Sequence, residues 1–302
     1  MRHLEARPAY PARCRHHLPT MTTSSSADDS PEIRPLERRA RAALQYVIAP
    51  ATVILSYFGE RAIMLGQAIA ALFRPPFRLR LFLEQMEFVG VGSLPIIMLV
   101  GFFSGAVSAQ QAINALRIFN QERFVGATVG ISLAQELAPV FTGLMITARA
   151  GSGMATELGS MRITEQIDAL STFAVDPIQY LVTPRLIATT LVMPVMGMVF
   201  NLVGLLGAYL FSIYFEHIDL GQFTEQFTYW TDPKDYIIGA TKALVFGVTL
   251  SVAACYQGFN VRGGAKEVGR ATTSAVVAGS VSILVSDYFL IDAFHILWPY
   301  KS

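Results

Sequence analysis

Residues 88–116 contain no charged side chain, a run long enough for one tilted helix to cross a hydrocarbon layer about 30 Å thick. Four comparable stretches follow. Residues 124–148 hold a single acid, Glu136, and residues 186–215 hold no charge at all. Residues 236–261 hold only Lys242, and residues 271–298 carry Asp287 and Asp292 in their second half. Backbone N–H and C=O groups inside a bilayer must be satisfied without water, so runs of this length fold as helices. The chain therefore reads as an all-α, polytopic membrane protein with about five transmembrane helices. Composition agrees, since 15% of the 302 residues are charged against about 25% in soluble domains.

The first 35 residues differ from the rest. Arg2, Arg7, Arg13 and Arg15 lead into Thr20-Met-Thr-Thr-Ser-Ser-Ser26 with no apolar core between them, which reads as a disordered tail and not as a secretory signal. Residues 36–302 form a single domain. Within it, residues 42–58 are apolar but contain Pro50 and lie between Arg38, Arg39, Arg41 and the pair Glu60, Arg61. Such a segment is expected to lie in the interface as an elbow helix instead of crossing. Cytoplasmic loops collect Lys and Arg. Arg74, Arg78 and Arg80 precede the first span and Arg262, Lys266 and Arg270 follow the fourth, whereas Glu216, Asp219, Glu225, Asp232 and Asp235 oppose a single Lys234 between the third and fourth. The chain is thus expected in the cytoplasmic membrane, with the N-terminus and residues 149–185 on the cytoplasmic side and residues 216–235 outside. Arg117 and Arg123 run against this rule.

Several classes are excluded. A net charge of +1 is wrong for a nucleic-acid binder. Two cysteines, Cys14 and Cys255, and five scattered histidines supply no disulfide framework and no metal-ligand spacing. There is no Gly-x-x-x-x-Gly-Lys-Ser/Thr, so nucleotide hydrolysis does not belong to this chain. Gly151-Ser-Gly153 lacks the outer glycine of a nucleophile elbow. The chain is read as a non-enzyme with no cofactor or metal of its own.

The most distinctive polar stretch runs from Ala148-Arg-Ala-Gly-Ser-Gly153 through Glu157-Leu-Gly-Ser-Met161 and Thr164-Glu-Gln-Ile-Asp-Ala-Leu170 to Asp176-Pro177. Met154, Leu158 and Met161 recur at helical spacing, as do Ile163, Ile167 and Leu170. One or two short amphipathic helices at the membrane face are expected, with Thr164 capping the second. Together with Glu136-Leu-Ala-Pro139, Gly92-Ser-Leu-Pro95, Pro184-Arg185 and Gly263-Gly-Ala265, this series closely resembles the MlaE-type permeases, the membrane subunits of ABC systems that move lipids between membranes. The resemblance implies a coupling helix that meets a cytoplasmic ABC ATPase through Glu157, Leu158, Met161, Thr164, Glu165, Gln166, Asp168 and Leu170. It further implies ATP and Mg on that partner, a second copy of the chain, an MCE-domain lipid-binding protein outside, a small STAS-like accessory subunit, and phospholipid as cargo.

Glu136 and Lys242 stand out because a charge at the bilayer centre costs about 2.5–3.5 kcal/mol. Either they line a lipid cavity, with Lys242 toward headgroups and Leu99, Phe102, Phe103 and Leu250 as apolar wall, or they pair with one another or snorkel to the interface. The family often places arginine before this glutamate; here it is Gln135. Arg149, at the inner end of the second span, is expected to anchor the polar segment. The alternative from another class is an ion-driven transporter using Glu136 and Asp287. Gly101-x-x-x-Gly105 and Gly126-x-x-x-Gly130 predict close helix contacts.

Overall fold

The computed structural model describes residues 58–72 and 79–297. The 1–35 tail, nearly all of the 42–58 segment, Arg74 and Arg78 lie outside the described residues. Helix α1 covers residues 58–72. Helix α2 (Leu79–Val89) turns through a short 3-10 segment (Val91–Ser93) into α3 (Leu94–Arg117), whose first turn holds Pro95. The second span is built from α4 (Val125–Ser132), a π-turn (Leu133–Leu137), α5 (Ala138–Ile146), a second π-turn (Thr147–Gly151) and α6 (Ser152–Ile163). After α7 (Gln166–Thr172) a third π-turn (Ile178–Val182) leads into α8 (Thr183–Tyr214). The surface helix α9 (Leu220–Trp230) precedes α10 (Pro233–Phe259) and α11 (Ala265–Leu297). No strand occurs among the described residues.

Five helical segments are long and apolar enough to cross a membrane: Leu79–Arg117, Glu122–Ile163, Ile178–Tyr214, Pro233–Phe259 and Ala265–Ile296. They match the five charge-poor runs; each starts before its run, and the first two also end after it. At 1.5 Å per residue the second is about 60 Å long, twice the hydrocarbon thickness. The polar segment therefore begins as a continuous extension of that span, not as a separate helix on the membrane face. Prolines explain part of the layout. Pro139 cannot donate to the carbonyl four residues back, and the π-turn ahead of it takes up the mismatch. Pro233 starts α10 behind a capping box in which Asp232 and Asp235 each accept the other's backbone N–H.

The spans pack through glycine. A Cβ on Gly105 would collide with the Gly204 carbonyl, and one on Gly207 with the Phe102 carbonyl, so α3 and α8 touch backbone to backbone. Gly126 and Gly130 instead receive Phe223 and Phe227 of α9. That helix was not foreseen within the acidic loop. Asp219 caps it by accepting from the Gln222 N–H at 3.1 Å, and Phe223 is buried against α4. Arg117, one of the two residues that run against the charge rule, pairs at this same end with Glu122 (2.9 Å) and Glu216 (2.8 Å). One apolar core centres on Phe200, Phe246, Met193 and Ile146. A second gathers Leu158, Ile167, Leu181, Leu186, Val252 and Cys255 around Met64 and Ala68 of α1.

Candidate functional site

Lys242 is 1% exposed and sits where three spans meet. Its ammonium donates to Glu136 Oε1 at 2.7 Å and forms an ion pair with Asp287 Oδ1 at 3.1 Å. Glu136 lies in the first π-turn, Lys242 on α10 and Asp287 on α11. The close approach comes from Gly239, one turn before Lys242, whose missing side chain lets α10 lie against the Ala134 carbonyl within that turn. Nearer the acidic end, Gln135 Nε2 donates to Asp235 Oδ1 at 2.7 Å. Gln135 thus serves a buried carboxylate in the place where the family often has arginine.

Glu136 and Lys242, each conspicuous in the sequence, are brought together, and Asp287 joins them. The two carboxylates suggested for ion-driven transport are both held by one ammonium. The apolar residues grouped with them do not form one wall. Leu99 and Phe103 are exposed on the outside of α3, the backbone of Phe102 packs on Gly207, and Leu250 is fully buried beside Gly151. A groove of about 650 Å³ opens elsewhere, between α1, α10 and α11. Its wall is Leu65, Val252, Val277 and Val281, its hydroxyls include Thr249 and Ser282, and Arg61 contributes at one end.

The polar segment differs from its expected form in two respects. Thr164 does not cap α7; its hydroxyl donates back to the Ser160 carbonyl at 2.8 Å and closes α6. Glu165, at a left-handed φ of 59°, makes the corner between α6 and α7. Leu158 is not available at the surface, since it is fully buried in the second core, and Met161 and Leu170 are half-buried. Exposed are Glu157, Thr164, Glu165, Gln166 and Asp168, the last bonded to Arg162 at 2.6 Å. Phe173, 79% exposed at the tip, was overlooked because it falls outside both apolar repeats.

Two arginines hold the base of this segment. Arg149 donates to the Phe88 carbonyl at 2.7 Å and to Ser93 Oγ at 3.2 Å, with its guanidinium facing the Phe88 ring. Gly92 is the residue that leaves it room. Arg149 therefore ties the second π-turn to the first span. Arg185, 3% exposed, binds Glu157 Oε2 at 2.8 Å.

Each of the three π-turns lies at or beside one of these charges: Glu136, Arg149 and Arg185. Such turns are uncommon and cluster at functional sites. Long apolar spans, a handful of charges gathered at their crossings and a braced polar projection define a polytopic helical membrane protein laid out as a transport subunit. Residues 82–292 match the family described as permease MlaE, and the chain belongs to that family. It is 41% identical to the "Probable ABC transporter permease protein" of Rickettsia felis over 75% of this chain and 88% of that one. It is 35% identical to the "Intermembrane phospholipid transport system permease protein MlaE" of Haemophilus influenzae, over 70% of this chain and 81% of the relative. It is also 33% identical to "Protein TRIGALACTOSYLDIACYLGLYCEROL 1, chloroplastic" of Arabidopsis thaliana, over 77% and 66%.

Proposed function

We propose that the chain is the membrane subunit of an ABC transporter that moves phospholipid or a related lipid between membranes, taking its stroke from a separate ATPase. The observation that carries this reading is the extent of the family match, which runs from α2 into α11 and so covers the five-span body. The subunit catalyses no reaction itself; ATP and Mg belong to the ATPase. It lies in the cytoplasmic membrane with the polar segment inside, in keeping with Arg162, Arg262, Lys266 and Arg270 at that end and Glu216, Asp219 and Asp232 at the other.

The ATPase meets the exposed face formed by Thr164, Glu165, Gln166 and Asp168, with Phe173 as an aromatic anchor of the kind that dominates interfaces. Leu158, Met161 and Leu170 work from beneath, as the packing that holds this face. A second copy of the chain completes the path, and an MCE-domain protein outside and a STAS-like subunit inside complete the assembly. The Lys242 cluster fixes the relative positions of the second, fourth and fifth spans along that path. Arg61 and the hydroxyls of the groove give an amphiphile polar contacts beside an apolar wall.

The test is a pull-down of the full chain from native membranes, followed by reconstitution in vesicles holding fluorescent phospholipid. A stoichiometric ABC ATPase and lipid transfer that requires ATP are expected. Transfer driven by a proton gradient with no ATPase present would overturn the reading.

A further inference from the structure

We infer that Arg185 is a positioning residue which, through Glu157, locks the polar segment to the third span so that the two move as one body. The inference rests on the proposed role of that segment as the ATPase's docking point. The segment is bracketed by π-turns at Thr147–Gly151 and Ile178–Val182. A π-turn breaks the regular hydrogen-bond ladder, and helices bend at such breaks. A push on the exposed tip would be absorbed at these two places unless something bridges them.

In the apolar seat the close backbone contact of α6 is with the fourth span, where Gly258 lies against Ala155. Leu158 and Ile167 of the segment pack with Leu181, Val182 and Leu186 beside α8, Val252 and Cys255 of α10, and Met64 and Ala68 of α1. Contacts of that kind are non-directional. The ion pair is directional. Arg185 Nη2 meets Glu157 Oε2 at 2.8 Å and Nη1 reaches the Leu181 carbonyl at 3.4 Å, so one guanidinium joins α6, the third π-turn and α8. A charge-assisted contact has a preferred geometry that apolar packing lacks.

The exposures are unequal. The Arg185 side chain is 3% exposed and that of Glu157 is 53% exposed. Glu157 can leave for water at small cost, whereas Arg185 would remain buried without its carboxylate. The buried arginine therefore pulls the segment back to one registration on α8. That helix is about 48 Å long at 1.5 Å per residue and carries the movement across the membrane.

The experiment uses the intact complex with its ATPase in vesicles and measures lipid moved per ATP hydrolysed. In Glu157→Gln the ATPase stays bound, the thermal midpoint falls because the buried guanidinium loses its charged partner, and the ratio falls about tenfold, within the usual range of coupling between sites. The paired exchange Glu157→Arg with Arg185→Glu recovers part of the loss. An unchanged ratio in Glu157→Gln overturns the inference, and so does release of the ATPase, which would assign Glu157 to the contact itself. A wild-type preparation without any ATPase is a different failure, because it removes the underlying reading before any variant is compared.

Discussion

Lys242 has no path to water, and its two carboxylates are what make it tolerable in the membrane. Replacing it with methionine keeps the volume but leaves Asp287, 15% exposed, without its ammonium, and removing one partner of a buried pair is strongly destabilising; Glu136, 40% exposed, loses less. Lys242→Met is therefore expected to lower the thermal midpoint in detergent sharply. The triple variant with Glu136→Gln and Asp287→Asn should regain most of that loss, because no charge is left buried. A triple variant as unstable as the single one would show that the ammonium does something besides neutralise. Glu136 and Lys242 were conspicuous in the sequence for their depth in apolar runs. Their contact spans 106 positions and depends on Gly239, which no local pattern could single out. Arg185 was harder still. It stands at the edge of an apolar run, where an arginine ordinarily snorkels, and only the fold shows it buried against Glu157.

At the scale of elements, the glycine pattern in the first span was legible and its partner was not. Gly105 faces the backbone of Gly204, so a methyl group there must push α3 away from α8. Gly105→Ala is expected to destabilise by about 1–3 kcal/mol, as overpacking does. Gly269→Ala, on an exposed face of α11 with open space around it, should be neutral or gain up to about 1 kcal/mol of helix propensity. Thermal unfolding of the two variants side by side checks the contrast. The same logic explains the overlooked α9. Its fold comes from Phe223 and Phe227 entering the space left by Gly126 and Gly130, a glycine pair whose use for a surface helix cannot be told from its use for another span.

For the whole molecule, charge distribution sets the sidedness. With Cys14 and Cys255 both replaced, a cysteine placed at exposed Gln222 should react with a membrane-impermeant maleimide in intact cells. One at exposed Ser171 should react only after permeabilisation. The reverse pattern would invert the topology. Arg117 and Arg123 remain a minority against Arg162, Arg262, Lys266 and Arg270 at the other end, and the overall Lys/Arg bias sets the orientation.

The number of spans and their approximate limits were legible residue by residue, because the bilayer imposes a length and a polarity. The sequence also marked the polar segment, through an ordered series of motifs that hydrophobic composition does not produce. What those motifs do for one another came into view with the folded chain. The tertiary structure buried Leu158, turned Thr164 back onto α6, set Glu165 at a left-handed corner and joined Arg185 to Glu157. The physical reason is that pairing between distant helices is settled by how closely their backbones approach. That approach depends on glycines and π-turns acting across spans, not on any pattern within one.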